Sequence, residues 1–258
     1  MKELKFGLQL FILLVSLSGF AGVSAKRRPN EDYLEARARH ARDAASLMAV
    51  RPGSPLAMAE ELESLSFSQV PELPSIRDLN EVFSFFRDTK FLTQVPGPLS
   101  ERRLSWLYPD DGCFVRASLA TYFAQTNRWP EPYKLFVFGN LSVKSPNHPS
   151  GVVSWWYHVV PVYRVGQQAY AMDPAIEPRR PLTVEEWKKS VEVTGPVHQF
   201  SVCAPATFDP DDNCLNPRGA SFGSLIRWQK MFLDQEWSRL LELDRDPRSE
   251  LGDKPPWR

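Results

Sequence analysis

Apolar positions along this chain change rhythm near residue 126. Before it they recur at helical spacing; after it they crowd into β-prone runs. Residues 31–48, rich in Ala, Arg and Glu, predict a first helix. Ser54-Pro55 has the form of an N-cap followed by proline at the first helical position, which predicts a short helix through Leu65. Residues 68–74 read as a linker. Asp78 is placed to cap a helix through Phe91, with Val82, Phe85 and Phe86 on one face. Residues 94–100 form a proline-glycine loop, 108–112 a turn, and 113–126 a helix with Leu119, Tyr122 and Phe123 as its apolar stripe.

The strand region opens at residues 133–138. Residues 152–165 follow with two Trp, two Tyr and six Val. Gly166-Gln167 between this run and residues 168–172 predicts a hairpin. Thr183 with Glu186 three positions on is a capping-box signature for a helix over 183–191. A further strand is expected over 198–203, an amphipathic helix over 224–243 and a charged tail over 246–258. A helix followed by several strands in one segment predicts an α+β fold with an antiparallel sheet.

Residues 1–25 have the plan of a secretory signal peptide: Lys2 and Lys5, an apolar run over 10–20, then Val23-Ser24-Ala25. The apolar run is shorter than the roughly 20 residues of a membrane span, so cleavage and export, to the periplasm or beyond, are expected, with no membrane partner afterwards. Residues 26–72 then form a helical extension or a pro-segment, and 73–245 the catalytic body. Basic and acidic residues number 31 each, so no general field draws the chain to nucleic acid. A hydrophobic share of 43% in 258 residues is enough to bury a core, and a monomer is expected.

Three cysteines remain after export. Cys203 and Cys214 bracket ten turn-forming residues and are expected to form a disulfide in an oxidising compartment. That leaves Cys113 as a free thiol, opening a helix after Asp111-Gly112. The positive end of a helix favours thiolate, and the first helical N–H groups can hold an oxyanion. The two aspartates oppose this and are expected to cap the turn. A thiol nucleophile needs a base. His158 stands mid-strand, where alternation puts Trp156, His158 and Val160 on one face. A polar ring there needs a partner, and Asp173, held by Pro174 at the end of the next strand, can orient it. His148 is expected in a solvated loop, His40 on an ordinary helix face, and His198 ranks second as base. Trp156 and Tyr157 flank the base as core aromatics or as a wall of the substrate slot. Arg116 is expected to be a structural donor. The acidic stretch 209–213 lacks the glycine and terminal Glu of a calcium loop and reads as a turn. No metal or cofactor motif is present.

The strings YPDDGCFVRA (108–117), KLFVFG (134–139), WYHVVP (156–161) and Met172-Asp173-Pro174 together resemble the bacterial protein-glutaminase family. The resemblance implies a transglutaminase-like, papain-related fold with a nucleophile-bearing helix on the sheet. It also implies a secreted hydrolase that deamidates exposed glutamines of proteins or peptides and uses no cofactor. The family's Cys-His-Asp triad corresponds to Cys113, His158 and Asp173. The same triad serves a transglutaminase or a cysteine protease, and a non-catalytic binding module can keep such a fold.

Overall fold

The computed structural model describes residues 27–43, 50–92 and 101–258. The expected signal peptide, the end of the first expected helix and the 94–100 loop lie outside them. In chain order the elements are α1 (Tyr33–Asp43), a 3-10 turn (Leu62–Ser64), α2 (Ile76–Asp88), the short antiparallel pair β1 (Phe91–Leu92) and β2 (Glu101–Arg102), α3 (Cys113–Thr126), β3 (Tyr133–Lys144), β4 (Val152–Val165), β5 (Gln168–Ala171), β6 (Leu182–Thr183), α4 (Val184–Ser190), β7 (Glu192–Cys203), α5 (Phe222–Glu242) and α6 (Pro247–Glu250). The fold is α+β: α3 packs on a five-stranded antiparallel sheet of order β6-β5-β4-β3-β7.

Both faces of the sheet are buried, which explains the long apolar runs. On β3, Phe136 and Phe138 face a core shared with α2, α3 and α5, while Leu135 and Val137 face a second core with Trp187 and Phe200. The β3–β4 register slips between Phe138 and Leu141, so Gly139 and Asn140 stand opposite Trp156 alone. This bulge corrects the expected alternation. Trp156 joins Tyr157 in the helix-side core, and Trp155, not Trp156, lies against His158.

Two helix expectations change for physical reasons. Ser54 does cap a turn, accepting from the Ala57 N–H, but no helix runs to Leu65. Glu60 instead exchanges both backbone hydrogen bonds with Phe200 on β7, and tertiary pairing overrides the local helix signal. Helix α2 starts two residues before Asp78, capped by Ser75, whose hydroxyl accepts from the Asp78 N–H. The segment before α2 is tied to the sheet again over residues 70–73, through Arg164. The charged C-terminal stretch packs on the body: Arg103 donates to the Leu251 carbonyl at 2.9 Å, and Trp257 donates to Asp88. Cys203 and Cys214 form the disulfide. Among the described residues no helix is long and apolar enough to cross a membrane.

Candidate active site

Cys113 is the first residue of α3, and its neighbours fix it there. Gly112 takes φ +82°, a conformation that side chains rarely adopt, and an added Cβ would lie 2.8 Å from the Phe232 ring. Asp111 accepts from the Gly112 N–H at 2.7 Å. Arg116, one turn into α3, donates to the carbonyls of Ser105, Tyr108 and Asp111, the structural role expected of it. Asp110 turns away from the sulfur into a buried pair with Arg239 of α5. The turn before Cys113 is thus held from α3 and α5 together, and both aspartates serve the turn.

The fold brings the three triad candidates together. His158 on β4 pairs with Asp173, Nε2 to Oδ2, at 2.9 Å. The other ring nitrogen, Nδ1, makes no hydrogen bond of normal geometry, yet the Cys113 sulfur is near enough to act on the ring. Burial opposes a charged imidazole here. The Asp173 carboxylate outweighs it, helped by Cys113, and raises His158 to about 9. Burial pushes Asp173 upward, but His158, Trp187 and Arg116 outweigh it and hold the carboxyl below its ordinary range. Burial, and next the nearby Cys113, keep Tyr157 protonated well beyond the usual phenol range. Cys113, His158 and Asp173 are 4%, 1% and 3% exposed, so the constellation is closed to bulk water.

Helix α1 contributes to that closure. Tyr33 and His40 pack on Trp156 at 6.3 and 5.1 Å between ring centroids, and His40 reaches Tyr157 at 6.2 Å. A cavity of about 160 Å³ lies between α1, Trp156 and Asp211. His40 is therefore buried, against expectation, with Nε2 3.3 Å from Asp211. His148 is part-exposed in the turn between β3 and β4, as expected, with its Nε2 3.4 Å from Asp110 Oδ1. His198 sits on β7 against Phe200, away from the triad strand pair. No group of three or more metal-ligating side chains occurs among the described residues.

Residues 79–191 match a family model described as glutaminase. Over this stretch the chain is similar to the glutaminase family. The matched stretch contains Cys113, His158 and Asp173. Among solved structures, a crystal structure of protein-glutaminase aligns at 21% identity over 63% of this chain and 88% of that one, with a TM-score of 0.45. The NMR structure of protein-glutaminase from Chryseobacterium proteolyticum aligns at 19% identity over 71% and 92%, TM-score 0.46. A pro-protein-glutaminase aligns at 19% over 68% and 64%, TM-score 0.48. No curated protein matches the chain.

Two tryptophans that no sequence signal singled out stand beside His158 and Asp173. Trp155 stacks on the His158 ring at 4.5 Å and 9°, and its indole donates to the Pro109 carbonyl in the turn before Cys113. Trp187 of α4 donates to Asp173 Oδ2 at 2.9 Å. No spacing signal links Trp187 to Asp173; the sequence shows only an aromatic in a capped helix, and the antiparallel return from β5 to β6 and α4 makes the contact.

Proposed function

We propose that this protein is a protein-glutamine deamidase acting through a Cys113 thioester. The observation that carries the reading is the 2.9 Å His158–Asp173 pair, with the Cys113 thiol at the start of α3 close enough to act on the imidazole. In the reactive form the sulfur is anionic and His158 carries the proton. The sulfur attacks the side-chain carboxamide carbon of a glutamine, and the Cys113 N–H supports the oxyanion. His158 passes its proton to the amide nitrogen, which leaves as ammonia. A water then gives its proton to His158 and attacks the thioester carbonyl. Collapse releases glutamate and returns the sulfur to its anionic state beside protonated His158. Asp173 keeps the ring oriented throughout.

Trp156 and Tyr157 lie buried beneath α1, in the same core as Cys113. We take α1 as a cover over the thiol, within a pro-segment, with Trp156 or Tyr157 as a wall of the substrate slot once it is removed, and the chain as exported. Proteolytic removal of α1 is then expected to raise activity. The deciding experiment is ammonia release from casein and from a blocked glutamine dipeptide, with mass spectrometry of the product. A gain of about 1 Da with ammonia supports deamidation; crosslinks or chain cleavage indicate a transglutaminase or a protease instead. Cys113→Ala is expected to abolish ammonia release with an unchanged circular dichroism spectrum, and activity retained in that variant overturns the reading.

A further inference from the structure

We propose that Trp187 is a positioning residue of this site, its indole N–H holding Asp173 in the orientation that His158 requires. The Asp173 carboxylate accepts three hydrogen bonds. Its Oδ2 takes His158 Nε2 and Trp187 Nε1, each at 2.9 Å, and its Oδ1 takes the Ala175 N–H at 3.2 Å. A carboxylate 3% exposed has little water to replace a lost donor, so each one counts. The Trp187 ring also lies 5.9 Å from the imidazole at 28°, while Trp155 stacks closer, at 4.5 Å. The base is thus bounded by two indoles, one donating to the nucleophile's turn and the other to the base's carboxylate.

The placement of Trp187 is itself secured. Thr183 and Glu186 form the capping box of α4, and Arg180 clamps Glu186 with two contacts of 2.9 Å. Trp187 follows directly and is fully buried. The charged and titratable groups acting on the pair are Cys113 and Arg116 from α3, beside His158 and Asp173 themselves. Lys188, the next residue of α4, engages Glu63 at 2.7 Å instead.

The physical role follows from sharing one oxygen. A second donor on Oδ2 disperses the carboxylate charge and tempers its pull on the imidazolium. Without that donor Asp173 holds the His158 proton more strongly and is freer to rotate. Both changes slow a base that must release and recover a proton in each cycle.

The test is Trp187→Phe, which keeps an aromatic ring and removes the N–H. The primary readout is the ¹⁵N titration of the His158 ring, assigned by comparison with His158→Gln. The expected result is an upward shift of the His158 midpoint by about one pH unit. Ammonia release should fall about tenfold in kcat with KM unchanged. Superimposable His158 titrations in the two proteins overturn the proposal. If the parent chain releases no ammonia but the titration shifts, the positioning role stands and the deamidase reading falls. If Trp187→Phe does not fold, the parent protein still decides: the Trp187 indole proton should move with the His158 midpoint, and an indole proton indifferent to that titration overturns the assignment.

Discussion

Gly112 is the residue on which presentation of the thiol depends. Its positive φ turns the chain sharply into α3, and the Phe232 ring fills the space where a side chain would begin. Gly112→Ala is expected to cost about 1–3 kcal/mol, combining left-handed backbone strain with overpacking. Gly151 is the natural control. It has a similar φ of +73° but open space around the missing Cβ, so Gly151→Ala should cost only the backbone part, about 1 kcal/mol. Urea denaturation of the two variants checks the difference, and equal losses would contradict the role given to Phe232. At this scale Cys113 and His158 stood out as candidates because cysteine and histidine are scarce, 3 and 4 in the chain, and Asp173 because it closes the next strand before a proline. The neighbour of His158 was misread because period-2 alternation assumes an unbroken ladder. The two-against-one bulge opposite Trp156 breaks it.

Helix α5 shows what an amphipathic pattern leaves out. Its expected apolar face is present in Leu225, Phe232, Leu233 and Leu240, yet Gln229, Glu236 and Arg239 are buried on the same helix. Glu236 accepts from the Leu107 N–H and from Arg102, and Arg239 forks onto Asp110 while lying over the Tyr108 ring. These contacts make α5 a brace for the turn that leads into Cys113. Arg239→Ala removes the guanidinium from an Asp110 carboxylate that has no exposure, and the expected loss is about 3–5 kcal/mol. Arg239→Lys should recover only part, since an ammonium cannot form the fork. Chemical denaturation measures both, and a loss below about 1 kcal/mol for Arg239→Ala would remove the brace from the account. The helix itself was legible from its apolar spacing, but its polar contacts span more than 100 positions and no local window contains them.

For the whole molecule, two buried bases pull the pH dependence of stability in opposite directions. His158 rises from its ordinary 6.5 to about 9, so the folded state holds its proton longer than the unfolded one. The stability from this pair is complete below pH 6.5 and is lost as pH climbs through 9. Lys134 is fully buried between Ser118 of α3 and the Thr207 carbonyl, and burial lowers it from 10.5 to about 7 despite Asp212 and Asp209 nearby. Here the folded state gives up its proton first, so stability increases as pH rises from 7 toward 10.5. Between pH 7 and 9 the two effects offset. Lys134→Met removes one of them, and the variant should lose stability over that interval more steeply than the parent chain. Denaturation midpoints at pH 7, 8 and 9 make the comparison, and parallel profiles would refute the offset.

Local pattern was enough to specify α3 and its start at Cys113, the long strand β4 with its hairpin to β5, the capping box of α4, the Cys203–Cys214 bridge and the triad candidates. Each depends on residues a few positions apart, or on counting a rare residue type. Tertiary packing decided the rest: which indole meets the imidazole, that Trp187 reaches Asp173, that Arg239 holds Asp110, and that residue 60 joins β7 instead of prolonging a helix. Those outcomes follow from where the sheet's ladder slips and how helices dock on it, and such long-range geometry is absent from any short window of sequence.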